Sequence, residues 1–288
     1  MSTTWTSAPA DTGAPPTGPA SPAATTVARR RPHRRPDLRR WISPLALVVL
    51  WQLASSTGLL AEDELASPLR VVTAAVDVTR SGELTEGLLV SLARVATGLV
   101  LGLVVGVGLG VVSGLSRWGG LLVDPPVQML RTLPHLGLVP LFILWFGVGE
   151  LPKVLLVALG VLFPMYLNVH AGVRGVDPKL LEAASVSGFT HAEQLRHVVL
   201  PGAMASTLTG LRLALGIAWL SIIVAETTAA DAGIGYMIMN AREFLRTDVI
   251  VVGLAVYALL GLGTDALVRR LERSVLAWRP AGPAGGDR

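Results

Sequence analysis

Three arginines, Arg94, Arg131 and Arg212, and one histidine, His135, stand inside stretches of sequence that are otherwise apolar. An ionised side chain in such a stretch is costly and usually faces a cavity or a partner. The chemistry these residues suit is therefore the binding of an anion, and Arg131, His135 and Arg212 are candidates for a translocation path. For Arg212 the alternative is a pair with a carboxylate or with helix carbonyls inside the protein. Little else in the chain is equipped for reaction. A P-loop needs G-x-x-x-x-G-K-[ST], but Lys153 and Lys179 each follow a proline and no Gly-Lys pair exists. The chain is therefore not expected to bind ATP through a P-loop of its own. The five histidines are His33, His135, His170, His191 and His197, and none falls in an H-E-x-x-H pattern. Cysteine is absent, which removes disulfides and thiolate metal sites. No catalytic residue and no metal ligand set is assigned.

The elements that hold these residues are membrane helices. Charged residues make up 15% of the chain, against about 25% in an ordinary soluble domain. A spanning helix needs ~20 mostly apolar residues, and six segments qualify: roughly 42–60, 86–115, 122–147, 151–172, 201–226 and 249–271. Pro134 and Pro140 should break or kink the third. The positive-inside bias places both termini in the cytoplasm, with sixteen basic residues inside and five outside (Arg70, Arg80, Lys153, Arg242 and Arg246). Residues 1–40, rich in Pro, Ala, Thr, Gly and Ser and ending in a cluster of arginines, are expected to be a disordered basic tail. Residues 41–275 form the transmembrane domain and 276–288 a cytoplasmic C-terminal tail. Within the second span, Gly98, Gly102, Gly106, Gly110 and Gly114 recur every four residues. Such a face lets a neighbouring backbone come close, either inside one subunit or at a subunit or gate interface. Trp51, Trp145 and Trp219 read as packing or interfacial anchors.

A polar segment at about 173–201 separates the fourth and fifth spans. Asp177 is placed to cap a helix and Pro178 to begin it. Leu180, Leu181, Ala184 and Gly188 follow at helical spacing, so a short amphipathic helix is expected there. Such a helix can lie on a membrane or fill a partner's groove. Glu182-Ala183-Ala184, then Gly188, then Val198-Val199-Leu200-Pro201 resembles the EAA loop of ABC importer permeases. That pattern has a glycine four residues after the last Ala and Ile-x-Leu-Pro ten after the glycine. Val198 in place of Ile is the one departure. Leu130-Arg131-Thr132-Leu133-Pro134, Pro140 to Gly147, Gly210-Leu211-Arg212, Ala225-Glu226 and Gly233-Ile234-Gly235-Tyr236 are similar to permeases of the nitrate, sulfonate and taurine branch.

The resemblance implies an all-α integral membrane protein of the bacterial cell membrane, with six transmembrane helices in a type I ABC importer permease-like bundle. It implies that Glu182, Ala183, Ala184, Gly188, Leu200 and Pro201 couple the bundle to an ATPase. Small Ala and Gly would permit close docking, and Glu182 would accept a charged hydrogen bond. Pro201 would begin the fifth span. The implied partners are a second permease copy, two cytoplasmic ATPase subunits carrying the ATP and magnesium, an extracytoplasmic substrate-binding protein and membrane lipid. No nucleic acid and no cofactor in this chain are expected. The implied substrate is a small organic anion such as an aliphatic sulfonate or taurine, with nitrate or a vitamin precursor as alternatives. An ion-coupled secondary transporter would call for internal repeats and mid-membrane acids. No repeat is found, and Glu226 and Asp265 fall near span ends.

Overall fold

The computed structural model describes residues 39–61 and 64–277, so the expectations for the two tails lie almost wholly outside the described residues. Contacts divide the chain after Pro44, and the helical bundle belongs to the unit from Leu45 onward. Among the described residues every regular element is helical. In order they are α1 (Arg39–Ser56), α2 (Pro68–Arg80), α3 (Glu83–Leu115), α4 (Arg117–Leu130), a 3₁₀ turn (His135–Leu138), α5 (Val139–Phe146), α6 (Glu150–Arg174), α7 (Pro178–Val186), α8 (His191–Gln194), a π turn (Leu195–Val199), α9 (Leu200–Ala229), α10 (Ile234–Glu243) and α11 (Thr247–Val275).

Among the described residues four helices are long and apolar enough to cross a membrane: Glu83–Leu115, Glu150–Arg174, His191–Ala229 and Thr247–Val275, with mean hydropathies of 2.4, 1.9, 1.9 and 2.0. The expected third span is instead a bent pair, α4 with the 3₁₀ turn and α5, turning through 78°. Pro134 sits in the break with φ −69° and ψ 93°. Its ring bars the preceding residue from helical geometry. Pro140 lies in the first turn of α5, where a missing N–H costs nothing, so Pro134 accounts for the bend and Pro140 does not. The expected first span appears as the shorter apolar helix Ile42–Ser56.

The glycine stripe settles as packing inside the subunit. A Cβ on Gly98 would lie 2.6 Å from Val157 Cβ, one on Gly106 2.9 Å from Met165 Cβ, and one on Gly114 2.7 Å from Val173 Cβ. Only glycine allows this approach. The constant offset between partners means that α3 and α6 run parallel, with α4 and α5 returning the chain between them. α9 runs back against α6: Gly172 meets Ala203 and Ser206 at one end, and Gly160 meets Ser221 towards the other. The core between these helices is built from Val157, Val161, Met165, Val169, Ala214, Ala218 and Ile222.

The linkers read as loops on one side carry helices of their own. Ser67 caps α2, accepting from Arg70 N, and Pro68 begins it. Ala74 and Val78 are the buried positions of α2. α10 likewise buries Ile234, Met237 and Ala241.

Candidate functional site

At the end of the bundle where α6 finishes and α9 begins, the chain makes a compact corner. Asp177 Oδ1 accepts from Lys179 N at 2.9 Å, and Pro178 is the first residue of α7, as the sequence indicated. α7 lasts nine residues. Its inner face carries Ala184, 8% exposed, and Leu181, which packs on the core. Its outer face carries Leu180, 57% exposed, Ala183, and Val186, 91% exposed. Glu182 is exposed beside that outer face and has no hydrogen-bond or ion-pair partner among the described residues. The expected contact surface is thus split: Glu182 and Ala183 face outward, and Ala184 fixes the helix to the bundle.

Gly188 does not lie on the helical face with Leu181 and Ala184. α7 has ended, and Gly188 adopts φ +83° with open space around its Cα. Its N–H reaches Ser185 O and that of Phe189 reaches Ala184 O, both at 3.0 Å. These two bonds form a Schellman closure, which needs a left-handed residue. Gly188 therefore terminates α7. Past it, Thr190 and Glu193 form a capping box on α8. Gln194 Nε2 ties the corner together through Ser185 Oγ (3.0 Å) and Phe189 O (3.2 Å).

Pro201 has a further effect on the turn before it. It stands in the first turn of α9, as expected, but the helical run does not begin there, since it continues unbroken from His191 to Ala229. A proline cannot donate to the residue four before it. The turn preceding it widens to a π turn, in which Leu200 N bonds to Leu195 O. Leu200 remains 40% exposed on this bend.

The three expected path residues are not brought together. Arg131 is exposed at the C-terminus of α4, at the break. His135 Nε2 lies 3.2 Å from Ser221 Oγ on α9. Arg212 Nε donates to Asp265 Oδ1 at 2.6 Å, and Arg269 also pairs with Asp265. Nine residues separate Arg212 from Ser221, or about 180° around a helix turning 100° per residue. Arg212 and His135 therefore meet opposite faces of α9, and Arg212 has an internal carboxylate partner.

The densest polar cluster was not assigned from the sequence. Glu226, 1% exposed, accepts from Ser91 Oγ (2.8 Å), Arg94 Nη1 (2.8 Å), Gly235 N (2.9 Å) and Tyr257 Oη (3.0 Å). Arg94, 4% exposed, grips Glu150 with two bonds of 2.5 Å and reaches Ala232 O at 2.6 Å. Lys153 Nζ adds a 3.1 Å bond to Glu150. Gly233, at φ +115°, and Gly235 leave the room that the Glu226 carboxylate fills. The network joins α3, α6, α9, α10 and α11 at the end opposite α7. An arginine inside an apolar stretch was its visible sign. Its partners lie 56 and 132 residues away, where no spacing rule reaches.

Comparison with known proteins bears on this architecture. The family model described as "Binding-protein-dependent transport system inner membrane component" matches residues 87–277. The putative aliphatic sulfonates transport permease protein SsuC of Escherichia coli is 51% identical over 84% of this chain and 92% of its own length. Its Bacillus subtilis counterpart is 42% identical over 87% and 92%. The taurine transport system permease protein TauC of Escherichia coli is 33% identical over 81% and 86%. Among solved structures, an amino acid ABC transporter chain superposes with a TM-score of 0.58 at 21% identity, covering 69% of this chain and 97% of that one. A chain of the inward-facing MetNI methionine ABC transporter gives 0.54 at 19%, covering 67% and 98%. The fold is thus that of ABC importer permeases, and this multi-pass membrane chain belongs to the family of binding-protein-dependent transport system inner membrane components.

Proposed function

We propose that this chain is the permease of an ATP-driven importer of aliphatic sulfonates. The observation that carries the substrate class is the order of identities, 51% to a sulfonate permease against 33% to a taurine permease, each over most of the chain. In this reading Ile42–Ser56 supplies a sixth span, both termini and α7 face the cytoplasm of a bacterial cell, and two copies pair. Two ATPase subunits, which hold the ATP and magnesium, each receive one α7. Its outer face, Leu180, Ala183 and Val186 with Glu182 alongside, is the docking surface, since these side chains are exposed on a short helix held rigidly by Ala184 and the Schellman closure. A substrate-binding protein delivers the anion to the opposite end, above the Arg94 network.

The test is uptake. Vesicles holding this chain with its cognate ATPase and binding protein should accumulate labelled ethanesulfonate in an ATP-dependent manner, with taurine a weaker competitor. Accumulation of taurine or nitrate in preference to ethanesulfonate would reassign the substrate. Accumulation without any ATPase would remove the importer reading.

A further inference from the structure

At the end of the bundle that carries α7, a cavity of about 290 Å³ opens between α4 and α6. Arg117, Arg174, His170, Asp124 and Leu121 line it. Neither arginine forms an ion pair among the described residues, although both stand in one small cleft. The guanidinium of Arg174 lies over Gly120, where a Cβ would come 2.8 Å from Nη2, so glycine there makes room for it. His170 stacks on Tyr166 with centroids 5.7 Å apart, and its Nδ1 is buried with no partner among the described residues. Beneath, Tyr166 Oη donates to Asp124 Oδ1 at 2.8 Å and lies 3.0 Å from Ser113 Oγ. Gln128 Nε2 adds a 3.4 Å bond to Asp124. The acid is therefore occupied from below, while the two arginines remain to face an occupant.

We infer that this cavity binds the phosphodiester headgroup of an anionic glycerophospholipid. Two observations favour a lipid over a free anion. Arg117 is the first residue of α4, one residue past the end of α3, and Arg174 is the last residue of α6, so both stand where long apolar helices end, at the depth of lipid headgroups. The rim is also apolar: Trp118, Leu121 and Leu122 on α4 are 74%, 67% and 71% exposed. Those side chains suit acyl chains and would be ill placed around a site for a soluble ion. Arginine matches phosphate oxygens with paired N–H groups, and basic clefts between spans on the cytoplasmic side are a general means of holding acidic lipids. A headgroup hydroxyl, as on phosphatidylglycerol, would find the remaining capacity of Asp124. Arg174 precedes Gly175 and the α7 corner, so an occupied cleft would brace the base of that corner. The inference rests on membrane placement and not on the substrate.

The full-length chain, purified from membranes and placed in bilayers of phosphatidylcholine with photoactivatable phosphatidylglycerol, provides the test. In the unaltered protein the label should concentrate on peptides spanning residues 117–124 and 170–174, and millimolar inorganic phosphate should not displace it. Arg117→Gln with Arg174→Gln should cut labelling there roughly 25-fold, since each basic side chain at the surface contributes about a factor of five. Arg270→Gln, exposed on α11 outside the cleft, should leave it unchanged. Label spread evenly over the apolar surface, equal labelling by a phosphatidylcholine probe, or displacement by phosphate alone would each overturn the lipid site. The mapping on unaltered protein decides the matter even where the double variant fails to fold.

Discussion

Glu226 is a buried carboxylate, and its surroundings determine what each neighbour is worth. It accepts from three neutral donors, Ser91, Gly235 and Tyr257, and one cation, Arg94. Removing Arg94 leaves that carboxylate without its counter-charge in a site 1% exposed. Breaking a buried pair in this way costs on the order of 3–5 kcal/mol. Glu150 is different, because its side chain is 59% exposed and water can replace what it loses. Arg94→Ala should therefore lower the melting temperature of the purified chain far more than Glu150→Ala, whose effect should stay near ~1 kcal/mol. Converting both buried partners, Arg94→Met with Glu226→Met, should recover much of the loss. A larger effect from Glu150→Ala would show that the network is held from its exposed side.

At the scale of elements, α7 offers a separation between docking and folding. Its outer side chains Leu180 and Val186 touch little of the bundle, whereas Ala184 is buried and Gly188 holds a left-handed turn. Val186→Glu should preserve folding, because a surface change away from caps and core usually stays within about 0.5 kcal/mol, yet abolish retention of the ATPase. Gly188→Ala should act the other way, destabilising the corner by roughly 1 kcal/mol through its positive φ while leaving the docking face chemically intact. Co-purification and thermal melting, measured on both variants, check this. Normal ATPase retention by Val186→Glu would remove the outer face of α7 from the coupling role.

The same element marks how far the sequence was legible. The Asp177–Pro178 start was readable because caps are local chemistry. The end was not, since the spacing of Leu181, Ala184 and Gly188 mimics a continuing face and only the backbone distinguishes a last turn from a left-handed closure. The glycine stripe announced a close approach, but its partner, α6, had to be found in three dimensions. The short helices α2 and α10 escaped a search tuned to long apolar runs. Arg212 and Arg94 looked alike in sequence. Their separate fates follow from Asp265, 53 residues from Arg212, and from Glu150 and Glu226, 56 and 132 residues from Arg94.

For the whole molecule, the parallel run of α3 and α6 and the return of α9 place all of α7 at one end of the bundle and α10 at the other. The chain has no cysteine, so single substitutions report sidedness without background. Ser187 is exposed at the close of α7, and its hydroxyl reaches only Ala183 O in its own helix. Glu243 is exposed at the close of α10. Ser67 would be a poorer probe, being half-buried and capping α2. With sixteen basic residues assigned to one side and five to the other, the bias predicts that α7 faces the cytoplasm. Glu243→Cys should react with a membrane-impermeant maleimide in intact cells. Ser187→Cys should react only after the cells are opened. The two positions lie beyond opposite ends of α9, which is long enough to cross the bilayer. Labelling of both from outside would therefore contradict α9 as a span, while the reversed pattern would invert the orientation and place α7 where no cytoplasmic ATPase could reach it.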